Sequence, residues 1–442
     1  MAEPTLLLAT PEQQAELDRL DGRIAELKTL TGTTAAASPG IADTVPSAED
    51  AKAELEQLTK NREDLDKTIP RTMIMAEQPE PRATFILKRG AYDQRAEQVE
   101  AAVPLTIFDP ATTVTSLPAV PSPEPASRLT RLDLAKWLTH PNHPLTSRVA
   151  VNRLWEMLFG TGLVETTEDF GAQGAQPSHP KLLDWLATEF VRSGWSQRAI
   201  LKQIVLSATY RQSSRVSHEL LEKDPRNRLL SRGPRFRLSA ETVRDNALSV
   251  SGLLAVKVGG PSVKPYQPDG LWEDVSVERR EKYVADSGDG LYRRSMYTFW
   301  KRTCPPPGMS TFDAPDRESC VIRRSRTNTP LQALVLLNDP TYIEAARKLA
   351  ERVCLAAESD HDRLRTAFYI VLARYPDEEE LATLQQAVLS ARDHFSANPD
   401  AAEKLLAIGA SPRTDKVPAA ELASWTTAMS MLLNLDEAIS KP

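Results

Sequence analysis

The residues with the most evident chemical potential are arginines. Arg148, Asn152 and Arg153 fall on one predicted helix, and Arg237 leads into a second that carries Glu241, Arg244 and Asp245. Arg293, Arg294 and Arg302 follow, and then a dense run holds Asp313, Asp316, Arg317, Arg323, Arg324, Thr327 and Asn328. Glu241, Arg244 and Asp245 are spaced to share one helical face. A guanidinium is a planar fork that gives paired hydrogen bonds to a carboxylate, sulfate or phosphate. Loops carrying these residues onto the helices would make a cleft for an anionic group. A plainer reading uses the same residues: Arg, Asp and Glu satisfy one another and tie long loops to a core, since a buried charge must be paired.

Other residues offer other chemistry. Glu241, Asp313, Asp316 and His179 are the acid–base candidates, and a pair of carboxylates about 5–10 Å apart in an open cleft would suit glycoside hydrolysis. His140 and His143, in a His-Pro-Asn-His string, could join His179 as imidazole ligands, with Asp169 or Asp313 completing a set. That string sits in a proline-flanked turn and not on a helix, so it is not a zinc-protease signature and no metal is assigned. Hydrogen bonding at loops and helix ends is the expected duty of these histidines, with His179 closing a helix start beside Ser178. Cys320 lies between Asp316 and Arg323, where nearby cations could activate a thiol. Gly160 and Gly162, and the Gly171–Gly174 string, lack a phosphate loop's lysine and read as turns. Ser213 and Ser214 have no nucleophile-elbow context.

Helices must position these groups. Leu17, Leu20, Ile24 and Leu27 form an a/d seam in a helix over residues 11–30. A second runs from about Ser47 to Lys67, with Ser47 as its cap, so the two predict an antiparallel hairpin. Thr72–Ala76 and Thr84–Lys88 read as strands, paired with each other or with something outside the chain. Residues 104–127 hold six prolines and read as a linker. From Arg128 the pattern is helical, with Ser239 capping a helix to Leu254, a long loop over 256–292 and a short strand at Ser295–Trp300. Helices return near 329–337, 340–355, 361–373, 377–394 and 419–437. The expected fold is mainly α: a helical domain with long ordered loops over 128–442, preceded by the hairpin and a small β element over 1–103. Six of the seven tryptophans lie between residues 137 and 300, which predicts the main core there.

Composition narrows the function classes. The 442 residues carry a net charge of −6, which argues against a nucleic-acid binder. Between Arg128 and Pro330, however, 31 Lys and Arg face 22 Asp and Glu, and 23 of the 31 are Arg. That preference suits fixed, paired contacts more than a solubilising coat. No stretch reaches the roughly 18 apolar residues of a membrane span. The opening M-A-E-P-T-L-L-L-A-T has no basic n-region, so the sequence reads as a soluble protein without an export address. Cys304, Cys320 and Cys354 form no C-x-x-C or C-x-x-C-H motif, so no cofactor is expected and c-type haem is excluded for this chain.

Several ordered strings resemble one family. They include R-V-A-V-N-R-L-W-E-M-L-F-G-T-G-L-V (148–164), S-A-T-Y-R-Q-S-S (207–214), D-P-R-N-R-L-L (224–230) and R-L-S-A-E-T-V-R-D (237–245). F-D-A-P-D-R-E-S-C (312–320) and T-N-T-P-L-Q-A-L-V-L-L-N-D (327–339) follow. Together they resemble the planctomycete-type domain of unknown function that follows cytochrome c and cytochrome-associated domains, over about residues 128–438. The segment 73–90 is similar to the region preceding that domain, although Phe85 stands where relatives often have His. The resemblance implies exported, periplasmic or cell-surface relatives that begin with an export signal and a haem domain. This sequence carries neither, which implies a shortened member or an internal start at Met1, with haem only in a missing upstream domain. A Cys304–Cys320 disulfide could form if the chain is exported, as the resemblance implies of its relatives. The implied role is a non-catalytic binding or scaffold module, with a cytochrome c-type domain or a surface polysaccharide as partner. The alternative is a hydrolase or oxidoreductase acting on acidic or sulfated glycans.

Overall fold

The computed structural model describes residues 4–33, 48–78, 80, 82–109 and 129–441. Contacts divide the chain into two units, Met1–Trp137 and Leu138–Pro442. Among the described residues there are eighteen α-helices and three two-stranded antiparallel sheets. The fold is mainly α. No helix among the described residues is long and apolar enough to cross a membrane.

In the first unit, β1 (Thr5–Leu7) leads to α1 (Pro11–Thr33), and α2 (Ala48–Thr68) leads to β2 (Arg71–Met73). Leu17, Leu20, Ile24 and Leu27 are buried where α1 meets α2. The hairpin is antiparallel, and ion pairs from Arg23 to Glu54 and from Arg62 to Asp21, both at 3.0 Å, cross it. The proposed cap Ser47 and most of the proline-rich stretch lie outside the described residues. The two predicted strands do not pair with each other. β2 pairs with β1, and β3 (Thr84–Leu87) pairs with β4 (Arg95–Val99). The connections explain this: the helical hairpin returns β2 beside β1, and a short connection turns β3 back onto β4. α3 (Arg131–Leu138) follows, with Arg131 donating to Glu77 at 2.9 Å.

The second unit has two apolar cores. α4 (Thr146–Phe159), α5 (Pro180–Arg192) and α6 (Gln197–Leu206) build the first around Val151, Trp155, Leu186, Phe190 and Ile200. The Trp155 and Phe159 rings stack with centroids 4.0 Å apart. α7 (His218–Lys223) precedes an irregular segment and β5 (Phe236–Arg237). α8 (Ala240–Ser251) is capped as expected, Ser239 accepting from the Thr242 amide at 3.3 Å. The long loop that follows contains two short helices, α9 (Leu271–Val275) and α10 (Asp289–Tyr292). The expected strand at Ser295–Trp300 is instead one turn of 3₁₀ helix, Ser295–Tyr297, with a single bridge from Thr298 to Val263.

The larger core lies in the C-terminal half, which corrects the expectation drawn from tryptophan placement. After α11 (Pro307–Thr311) and α12 (Pro330–Asn338) come α13 (Pro340–Ala356), α14 (Asp360–Leu372), α15 (Glu378–Ala397), α16 (Pro399–Leu406), α17 (Ala419–Leu433) and α18 (Asp436–Ile439). α13 packs against α8, α14 and α17. Ala345, Ala346, Leu349, Ala350 and Val353 on α13 are wholly buried, and small side chains let its neighbours approach closely. Trp425 on α17 is also fully buried, whereas Trp185 in the middle region is 52% exposed. β6 (Ser440–Lys441) returns to pair with β5.

Candidate functional site

The arginine-rich strings converge on the second unit's surface. A cleft of about 540 Å³ opens beside the C-terminal end of α4, and Arg226, Arg228, Arg232, Arg235, Arg323 and Arg326 line it. A second cleft, of about 460 Å³, is lined by Arg153, Glu156, Met157, Arg323, Arg324 and Arg326, among others. Arg323, Arg326 and Gly160 line both. With six arginines in one cleft, four in the other and two shared, eight face this surface against two carboxylates, Glu156 and Glu165.

Local chemistry explains the arrangement. Gly160 ends α4 in a left-handed conformation with φ of 78°. A methyl group there would lie 2.7 Å from the Phe236 ring and 3.2 Å from the Arg326 guanidinium, so glycine alone permits both approaches. Arg326 donates to the Gly160 carbonyl at 2.9 Å and covers the Phe236 ring at 4.5 Å. The segment D-P-R-N-R-L-L-S-R is held by buried Asp224, whose carboxylate accepts the Arg228 and Leu229 amides at 2.8 and 2.7 Å. Arg232 closes that turn by donating to the carbonyls of Asp224 and Pro225, both at 3.0 Å.

The arginines are unevenly neutralised. Glu165 accepts from Arg226 at 2.9 Å and from Arg228 at 2.6 Å. Arg235 pairs with Asp436, and Arg324 with Glu241 at 2.8 Å. Arg153 and Arg323 are exposed and have no carboxylate at ion-pair distance among the described residues. Burial holds the Arg326 guanidinium below the ordinary arginine range; Glu156 opposes that shift, and Arg237 and Arg323 add to it. It remains charged at any physiological pH.

The other predicted arginine-site residues serve as ties. Arg237 pairs with Asp313, donates to Thr327 O at 3.1 Å and packs 5.4 Å from the Phe312 ring centroid. Arg244 is buried and donates to Arg293 O at 3.0 Å and Leu291 O at 2.6 Å, and Asp245 accepts the Ser295 amide at 2.7 Å. Arg293 gathers the carbonyls of Lys257, Gly259 and Pro261, while Arg294 lies 3.9 Å from Asp245 and Arg302 3.8 Å from Glu318. Arg148 pairs with Asp184 at 2.7 Å. Asn152 is buried and exchanges hydrogen bonds with the Val164 backbone at 2.9 and 3.0 Å. Arg317 stacks on Trp300 at 4.4 Å, and Asn328 is exposed. The ties come from the predicted constellation, whereas the clefts take only Arg153, Arg323 and Arg324 from it and five further arginines from outside it.

The acid–base candidates are not brought together as a free pair. Asp313 is occupied by Arg237 and by the Thr327 amide and hydroxyl at 2.7 and 2.9 Å. Glu241 holds Arg324; burial would raise its carboxyl, but its own amide and Arg324 outweigh that and keep it below the usual range. Asp316 accepts the Glu318 amide at 2.9 Å. His179 is the residue before α5, its Nδ1 3.0 Å from Ser178 Oγ. His143 Nδ1 faces the Leu145 and Thr146 amides at 3.3 and 3.2 Å, and His140 Nδ1 accepts the Asn142 amide at 3.2 Å. His140, His143 and His179 are engaged in these turn contacts, and among the described residues no group of three His, Cys, Asp or Glu is placed to hold a metal ion. Cys304 and Cys320 are free thiols, not a disulfide; Cys304 points toward the Leu271 carbonyl at 3.7 Å while Cys320 is exposed.

One polar cluster was absent from the sequence reading. Glu344 on α13 is fully buried and accepts from the hydroxyls of Tyr292 and Tyr266, both at 2.9 Å. Arg347, also buried, lies 3.5 Å from Glu344 and donates to Ser411 O at 2.8 Å and to Glu351 at 3.3 Å. The cluster staples the loops around residues 266, 292 and 411 to α13. Its signal is three ionisable residues, Glu344, Arg347 and Glu351, at the helical spacing that puts them on one face of α13.

Fold and cleft together define a mainly helical protein with an arginine-lined surface groove. The model of the PSD1 family, a protein of unknown function (DUF1553), matches residues 130–388, and the chain belongs to that family. No curated protein and no solved structure matches the chain.

Proposed function

We propose that the chain is a non-catalytic binding module whose arginine cleft takes an anionic ligand. The observation that carries this reading is that, of the eight arginines lining the clefts, Arg153, Arg232, Arg323 and Arg326 have no carboxylate at ion-pair distance among the described residues. Arg232 and Arg326, held by backbone carbonyls before binding, lose little freedom on gripping a sulfate, phosphate or carboxylate. In the setting that the family resemblance implies, the partners are a cytochrome c-type domain and an anionic surface polysaccharide. Catalysis on such glycans gains no support from the geometry, because Glu241 and Asp313 are each bound to an arginine.

The test is thermal melting of the purified chain with sulfate, phosphate and glucuronate, beside an Arg153→Ala/Arg323→Ala double variant. A ligand at 100 times its dissociation constant stabilises the native state by about 2.7 kcal/mol. We expect a saturable rise with at least one anion in the parent chain and little in the variant. An equal rise in both, or none in either, would sink the reading.

A further inference from the structure

The two clefts adjoin, and taking them as one groove deepens the anion-binding reading on which this inference rests. Both are lined by Gly160, Arg323 and Arg326, so the groove runs from Arg153 on α4, past Arg326, to the turn at Arg232. Each part alone has the volume of a site for a drug-sized molecule, several times that of one oxyanion.

Uncompensated charge recurs along the groove. Arg153 lies toward one end, and Arg323 lines both parts. Arg326 also sits in the shared middle and donates to the Gly160 carbonyl. Arg232, at the other end, likewise donates to carbonyls. A carbonyl satisfies a donor without cancelling its charge, so these positions keep their attraction for anions. One small anion cannot reach both ends, whereas a chain bearing anionic groups at intervals can.

The walls select among polyanions. Trp155 is buried and stacked on Phe159, and the Phe236 face is covered by Arg326. Trp155, Phe159 and the covered face of Phe236 are thus closed to the base stacking that single-stranded nucleic acids use. Thr161, Ser178, Ser214 and glycine backbone line the larger cleft, and these match sugar hydroxyls. The geometry points to a linear anionic oligosaccharide, with sulfate or carboxylate on successive sugars, one group seated at Arg153 and Arg323 and another at Arg232 and Arg326.

Calorimetric titration of the whole chain with size-graded oligosaccharides tests this. The probes are chondroitin sulfate di-, tetra- and hexasaccharides and the matching galacturonate oligomers, with glucose 6-sulfate and galacturonate as single-sugar references. Oligo-dT and polyglutamate of equal charge are the controls. We expect a tetrasaccharide of one series to bind about tenfold or more tighter than its single sugar, because the second contact is intramolecular. Arg153→Ala should abolish that gain yet keep single-sugar binding, and Arg232→Gln, checked for folding by circular dichroism, should do the same from the other end. Single-sugar binding with no gain on lengthening would overturn the two-seat groove and leave the anion-binding reading intact. Oligo-dT or polyglutamate binding as tightly as the tetrasaccharide would overturn the glycan assignment. No binding by any anion would remove the underlying reading itself.

Discussion

The Arg326 guanidinium and the Gly160 carbonyl meet at 2.9 Å, joining chain segments 166 residues apart at the floor of the groove. Gly160 can accept there because its left-handed backbone and missing side chain leave room for both Arg326 and Phe236. Gly160→Ala should therefore cost about 1–3 kcal/mol in stability, combining backbone strain and overlap. It should also displace Arg326 and weaken anion binding. Urea unfolding and a sulfate titration of the variant measure the two effects, and a variant unchanged in both would show that the floor is not set by this contact.

The arginines divide into two groups that mutation can separate. Arg237 and Arg244 are largely enclosed, and removing either strands Asp313 or several carbonyls. Arg237→Ala and Arg244→Ala should each destabilise by about 3 kcal/mol or more. Arg153→Ala and Arg323→Ala remove exposed groups and should stay within about 0.5 kcal/mol of the parent. Chemical denaturation of the four variants reads this directly. Equal losses across all four would mean that the groove arginines are also structural ties.

The sequence makes some of this legible and hides the rest for physical reasons. Leu17, Leu20, Ile24 and Leu27 announce α1 because their period matches the buried face. Ser239 announces α8 because a cap is a local interaction. β1 is only three residues long, and its partner β2 lies across the whole hairpin, so no local pattern reveals the pair. Arg153, Arg323 and Arg324 stand out by sequence and do line the groove, but Arg226, Arg228, Arg232, Arg235 and Arg326 drew no notice singly. Four of these five crowd a turn-rich segment, a signal that was available. Tryptophan placement misled because Trp185 lies on a surface while one residue, Trp425, anchors the larger core.

Glu344 could not be read as buried because the groups that bury it come from distant loops. A methyl group on Gly409 would lie 2.3 Å from the Glu344 carboxyl carbon, so even the enclosing backbone is in close contact. Removing Arg347 leaves that carboxylate without its cation, and removing Glu344 leaves the Tyr266 and Tyr292 hydroxyls without their acceptor and Arg347 with one carboxylate, Glu351, instead of two. Arg347→Met and Glu344→Ala should each cost about 3–5 kcal/mol. Replacing both by methionine should cost less than the sum, which denaturant unfolding through a double-mutant cycle would measure. Strict additivity would show that the two side chains act independently.

Stability should also depend on pH through His143. Burial, with repulsion from His140 as the lesser cause, holds its imidazole below the ordinary value of 6.5. The geometry agrees: Nδ1 faces the Leu145 and Thr146 amides, and a proton there would oppose both. The unfolded chain takes up that proton near pH 6.5, before the folded one does. Stability from this group is thus complete above 6.5 and falls as pH drops through the lower folded value. Glu241, Glu380 and Glu421 are held below the usual 4.5, so their contribution is lost only as pH falls further, from about 4.5 through their folded values. The melting temperature should therefore decline in two stages on acidification. His143→Asn retains an acceptor for the two amides but does not titrate, so it should flatten the upper stage and leave the lower one. If the upper stage persists unchanged in that variant, its proton belongs to another group.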